Sequence, residues 1–168
     1  AIDHYNERLN MAAKSGAETI NYESADSLID ELKARTGGRG PDSCIDAVGL
    51  EAHGHTITAA LDRIEAAVGL VTDRCDALRL AIMACKKGGT VSVPGLYGGY
   101  VDHFPFGVAF GKGLNFKMGQ THTQKYMKPL LELILSDKID PSFVITHRVS
   151  IDEGPYAYKT FNDQKDEC

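Results

Sequence analysis

Residues 1–21 read AIDHYNERLNMAAKSGAETIN. A short apolar run ends in Asp3, and a helical pattern follows at once, with Leu9, Ala12 and Ala13 on one face and Gly16 as its stop. A helix is therefore expected over Tyr5 to Ser15, with the end of a strand before it and a second short strand, AETINY (17–22), after it. This strand–helix–strand unit sets the fold, because its first strand ends in a carboxylate. In open parallel sheets the ligand lies outside the carboxyl ends of the strands, so Asp3 is the first residue to examine.

The same alternation continues along the chain. Ser24 is a candidate N-cap for a helix carrying Leu28, Ile29 and Leu32 at helical spacing, and TGGRGP (36–41) breaks it. SCIDAVG (43–49) is an apolar run interrupted by Asp46 and closed by Gly49. Residues 50–71 are long for a simple connection and are expected to hold an insertion with some helix. Thr72 or Asp73 can cap a helix through RCDALRLAIMAC (74–85), which KKGG ends. TVSVPG (90–95) is a near-continuous apolar strand, as in a sheet covered on both faces. A glycine-rich loop from Gly95 leads to a short edge element ending near Phe110, and LNFKMG (114–119) alternates as a strand. A helix from about Gln124 to Ser136 groups Leu130, Leu131, Ile134 and Leu135; SFVITHRVSI (142–151) reads as extended, and a last helix runs through PYAYKTF (155–161). Strands alternating with helices imply an α/β fold with a parallel, doubly wound sheet.

Composition narrows the function. The chain has 168 residues, enough for one domain with a core, and a net charge of −5 with no block of Lys and Arg, so nucleic acid is not an expected partner. No apolar run reaches the roughly 18 residues that span a membrane, and no charged-then-apolar leader is read, so a cytoplasmic protein is expected. Cys44, Cys75, Cys85 and Cys168 fit no zinc module and read as free thiols in a reducing compartment. His53 and His55 form an H-x-H without a nearby third ligand.

The strand ends carry the chemistry. A carboxylate at Asp3 can accept hydrogen bonds from both hydroxyls of an adenosine ribose and would repel a 2′-phosphate, favouring NAD over NADP. On its own, an acid in front of a helix is more often a cap or a solvated turn residue. The planar guanidinium of Arg8 could lie against an adenine face, or simply pair with a charge on its helix. Gly95, after Pro94, lets backbone groups approach a flat ring such as a nicotinamide, although a plain turn explains it equally well. Gly119, Gln120 and Thr121 repeat the logic one strand later. No G-x-S-x-G, phosphate-binding loop or Cys/His/Glu zinc cluster is read, so no catalytic residue is assigned.

Taken together, residues 2–21, TGGRGPDSCIDAVGLEAHGH (36–55), KKGGTVSVPGLYGG (86–99), MGQTHTQKYMKPLLELI (118–134) and DPSFVITHRVSID (140–152) resemble the zinc-dependent, medium-chain alcohol dehydrogenase superfamily, especially its glutathione-independent formaldehyde dehydrogenase branch. The resemblance covers essentially the whole chain, with its blocks in the family's order. It implies a C-terminal NAD-binding part in which Asp3 and Arg8 match residues holding the adenosine, and Val48 matches one against the adenine ribose. His53 and His55 match a loop reaching toward the cofactor, where formaldehyde dehydrogenases carry an arginine in place of His53. Pro94, Leu96, Gly119 and Thr121 match residues around the nicotinamide. FGVAFG (106–111) matches a region where family members pair subunits through sheet edges, implying a homo-dimer or homo-tetramer.

The family's glycine fingerprint and first strand would precede Ala1, and its zinc and catalytic residues lie in an N-terminal lobe. The expectation is therefore that residues 1–168 are a fragment of a dinucleotide-binding domain, with an incomplete sheet and no activity alone. Its parent would use NAD and zinc on a small alcohol or aldehyde. A non-catalytic nucleotide-binding or interaction module is the alternative from another class. A methyltransferase that binds S-adenosylmethionine, which also ends its second strand in a carboxylate, fits VPG and MGQTH less well.

Overall fold

Leu9 and Ile20, the buried apolar residues of the opening strand–helix–strand unit, sit where its periodicity puts them. The computed structural model describes residues 1–51, 75–97 and 101–164. These divide into two units, residues 1–26 with those from 122 onward, and residues 27–121.

In the first unit, β1 (Ile2–Asp3) leads into α1 (Asn6–Lys14), which returns to β2 (Ile20–Asn21). The strands are parallel, with Ile2 opposite Ile20 and Asp3 opposite Asn21. Gly16 stops α1 as expected: at φ 86° it takes the left-handed conformation that a side chain resists, and its N–H donates to the Ala13 carbonyl at 2.9 Å. The same unit holds α5 (Thr123–Leu135) and α6 (Gly154–Asp163), both in the expected segments. Leu130, Leu131, Ile134 and Leu135 remain between 38% and 75% exposed, so their grouping on α5 does not bury them.

The extended reading of residues 142–151 is corrected at the two ends of that segment. Pro141–Val144 form one 3-10 turn, because the Asp140 carboxylate accepts the Ser142 N–H at 2.9 Å and Pro141 is preset for a first helical position. A second 3-10 turn, Ile151–Glu153, is closed by Glu153, whose carboxylate accepts both the Ser150 N–H and hydroxyl at 2.8 Å.

In the second unit, α2 (Leu28–Arg35) is followed by β3 (Ser43–Ile45), α3 (Asp76–Ala84), β4 (Thr90–Val93), α4 (Phe106–Lys112) and β5 (Asn115–Met118). The cap of α2 is Ser27, not Ser24. The Ser27 hydroxyl accepts the Asp30 N–H at 3.3 Å, whereas Ser24, four residues before the helix starts, donates to the Asn21 carbonyl. α3 begins at Asp76, later than read, with Cys75 at its cap position; Thr72 and Asp73 lie outside the described residues.

The three strands are parallel in the order β3–β4–β5, with Cys44, Val91 and Phe116 in one cross-sheet row. Leu78, Ala81, Ile82 and Cys85 recur at helical spacing and pack α3 onto Val91 and Val93, forming the core of this unit. The expected edge element at 106–110 is instead the helix α4. Ala109 is buried in the core, Val108 and the preceding Phe104 pack against it, and Gly113 at φ 60° ends the helix. Parallel strands alternating with helices make the fold α/β.

Candidate cofactor-binding site

Asp3 is the last residue of β1, and its two carboxylate oxygens have different surroundings. Oδ1 accepts the backbone N–H of His4 at 2.7 Å and of Tyr5 at 3.0 Å, closing the turn into α1. These two bonds form an Asx-type turn ahead of the helix, while Tyr5, at the cap position itself, makes no side-chain cap bond. Oδ2 lies 3.7 Å from Arg8 Nη1, and the Arg8 guanidinium stands 4.5 Å over the Tyr5 ring. The bland readings of both residues, turn residue and charge partner, are thus realised. They do not exhaust the carboxylate, which offers about four acceptor positions. Its side chain is 28% exposed, and that of Arg8 48%.

Two neighbours complete this cluster. His4 lies against the Tyr5 ring at 3.8 Å, and its Nδ1 is 2.6 Å from the Tyr22 hydroxyl. Burial first, and the Asp3 carboxylate second, push the Tyr22 phenol above its ordinary pKa, so it stays a neutral hydrogen-bonding group.

The second group of residues lies at the carboxyl ends of β3, β4 and β5. Past Ile45 the chain reaches Asp46, which is 2% exposed. Its Oδ1 accepts the N–H of Val48 at 3.0 Å and of Gly49 at 3.1 Å, and its Oδ2 accepts the Tyr97 hydroxyl. Its backbone carbonyl takes the Gly95 N–H at 2.9 Å, and Leu50 N–H donates to the Leu96 carbonyl at 3.1 Å. The loops after β3 and β4 therefore cross in backbone contact. At Gly49, with φ 75°, a Cβ would come within 2.4 Å of the Leu96 oxygen; at Gly95, one would come within 2.5 Å of the Gly49 nitrogen. Only glycine fits at either position.

This crossing brings Val48, Pro94 and Leu96 together, with Val48 50% and Leu96 71% exposed. Gly119 joins the same rim by register: Val93 is opposite Met118, so Pro94 and Gly119 are the first residues beyond their strands. Thr121 follows two residues on and is exposed. Asp3 and Arg8 are together in the other unit, and His53 and His55 lie outside the described residues. Sequence reasoning missed Asp46 and Tyr97. The signal was present in SCIDAVG, an acid at a strand end just as in the opening residues.

Chemically, the rim offers apolar surface and close backbone approach, and the Asp3 cluster offers an acceptor beside a cation and an aromatic ring. Among the described residues, no three His, Cys, Asp or Glu side chains come together to hold a metal. No helix among them is long and apolar enough to cross a membrane.

No protein-family model matches the chain. Over its full length it is 32% identical to an uncharacterized zinc-type alcohol dehydrogenase-like protein, AdhB, of Bacillus subtilis, covering 43% of that protein. It is 27% identical to the glutathione-independent formaldehyde dehydrogenase of Pseudomonas aeruginosa, with 92% of the chain matched to 40% of that protein. Among solved structures, alcohol dehydrogenase TADH from Thermus sp. ATN1 matches 98% of the chain with 41% of its own, at a TM-score of 0.74 and 28% identity. The chain is thus similar over its length to zinc-type alcohol dehydrogenases and spans about two fifths of the length of these relatives.

Proposed function

We propose that the chain is the NAD-binding portion of a zinc-dependent alcohol or formaldehyde dehydrogenase and that it positions the nicotinamide for hydride transfer. The observation that carries this reading is Asp3 at the carboxyl end of β1, beside Arg8, in a chain similar throughout to zinc-type alcohol dehydrogenases. The strand pairings, β1–β2 and β3–β4–β5, agree with it: they are those of the doubly wound order 3-2-1-4-5-6 when strand one is left out.

In this reading Asp3 accepts the hydroxyls of the adenosine ribose, and Arg8 lies at the adenine. Val48 packs at the ribose, with His53 and His55 toward the cofactor. Pro94, Leu96, Gly119 and Thr121 frame the nicotinamide ring and keep water from one of its faces. When bound, NAD supplies the carbon that accepts hydride from the alcohol or hydrated aldehyde. The described residues do not fit a zinc site, so the metal of the parent protein is assigned to residues outside them. The parent is read as a cytoplasmic homo-dimer or homo-tetramer, and the 168 residues alone as inactive.

The test is an assay of the full-length protein with NAD and a series of short alcohols and formaldehyde. NADH formation that a zinc chelator abolishes is the expected result. A full-length protein that neither binds NAD nor reduces it would overturn the reading.

A further inference from the structure

Tyr97 and Asp46 are 51 positions apart in sequence and joined by a hydrogen bond from phenol to carboxylate. This bond fixes one strand tip against the other. Asp46 is buried and accepts three hydrogen bonds, from Val48 and Gly49 on one oxygen and from Tyr97 on the other. Tyr97 follows Leu96 directly, so the position of its hydroxyl sets the path of Pro94–Leu96 across the rim. Two backbone bonds, Gly95 to Asp46 and Leu50 to Leu96, also tie this crossing. Without the phenol, one oxygen of a buried carboxylate loses its donor, and the loop can relieve that cost only by opening to water.

Resting on the cofactor reading above, we propose that Tyr97, acting through Asp46, is a positioning residue that holds Pro94 and Leu96 at the height the nicotinamide ring requires. It touches neither the ring nor the substrate. Its effect falls on the nicotinamide end of the dinucleotide and spares the adenosine end, which Asp3 and Arg8 hold. This separates positioning from general stabilisation, which would weaken both ends alike.

The experiment compares NADH with ADP-ribose, which keeps the adenosine and both phosphates but lacks the nicotinamide, on the full-length protein. Tyr97→Phe is expected to weaken NADH binding roughly tenfold and to leave ADP-ribose within about twofold. Asp46→Asn, which keeps the side chain's shape and one acceptor oxygen, should give the same selective loss and serves if Tyr97→Phe folds poorly. Equal weakening of both ligands, or no change in either, overturns the proposal while leaving the cofactor reading in place. A wild-type protein that binds neither ligand overturns both.

Discussion

Asp3 Oδ2 lies 3.7 Å from Arg8 Nη1 across the first turn of α1, while the other oxygen of the same carboxylate holds the backbone of that turn. One side chain thus has a structural half and a half directed at a cation. Asparagine can keep the first role, since its amide oxygen can accept the same two N–H groups ahead of the helix. Asp3→Ala should therefore lower stability by about 1 kcal/mol, and Asp3→Asn by much less, as read from urea unfolding midpoints at constant slope. Equal losses in the two variants would show that the turn bonds contribute nothing.

The crossing of the strand tips depends on two missing side chains. Gly49→Ala would force a methyl group to within 2.4 Å of the Leu96 oxygen, in a left-handed backbone conformation. A loss of roughly 2–4 kcal/mol is expected, visible as a lower melting temperature. Gly107→Ala, where an added Cβ meets nothing within 4 Å, is the control and should be close to neutral.

Cys44 gives a pH dependence with a definite sign. Burial, and then the neighbouring Cys85, push its thiol from an ordinary 9.0 to about 12. The folded protein keeps this proton where the unfolded chain releases it. The associated stability is fully present below about pH 9 and is lost as the pH rises toward about 12. Cys44→Ala should flatten that decline in denaturant titrations. In the folded wild type at pH 8, Cys44 should also react with iodoacetamide far more slowly than in urea, as read by peptide mass mapping.

Lys112 closes the C-terminal end of α3. Its ammonium donates to the carbonyls of Ile82 at 3.1 Å, Met83 at 2.7 Å and Cys85 at 2.8 Å. Three carbonyls that end a helix without helical donors thus share one cation. Lys112→Met keeps the aliphatic stem and removes the charge, and should cost about 1–2 kcal/mol, measured by thermal melting. A neutral result would mean that water serves these carbonyls equally well.

These devices differ in how far the sequence reveals them. The α3 face of Leu78, Ala81, Ile82 and Cys85, the stop at Gly16 and the apolar run of β4 are local patterns, and each appears where its period places it. α4 was misread because Phe106–Phe110 is too short for its helical period to stand out from an alternating one. The partnership of Asp46 with Tyr97 spans 51 positions and has no local signature, so a strand-end acid looked like an interruption. For Asp3 the sequence gives the position but not the division of labour between its oxygens, which depends on how α1 starts.

The most direct test of the central claim is calorimetric titration of the full-length protein with NAD and with NADP, for the wild type and for Asp3→Asn. The account predicts that the wild type binds NAD at least roughly tenfold more tightly than NADP, and that Asp3→Asn loses most of that preference while remaining folded. A variant that binds NAD as the wild type does, with the preference intact, would contradict it.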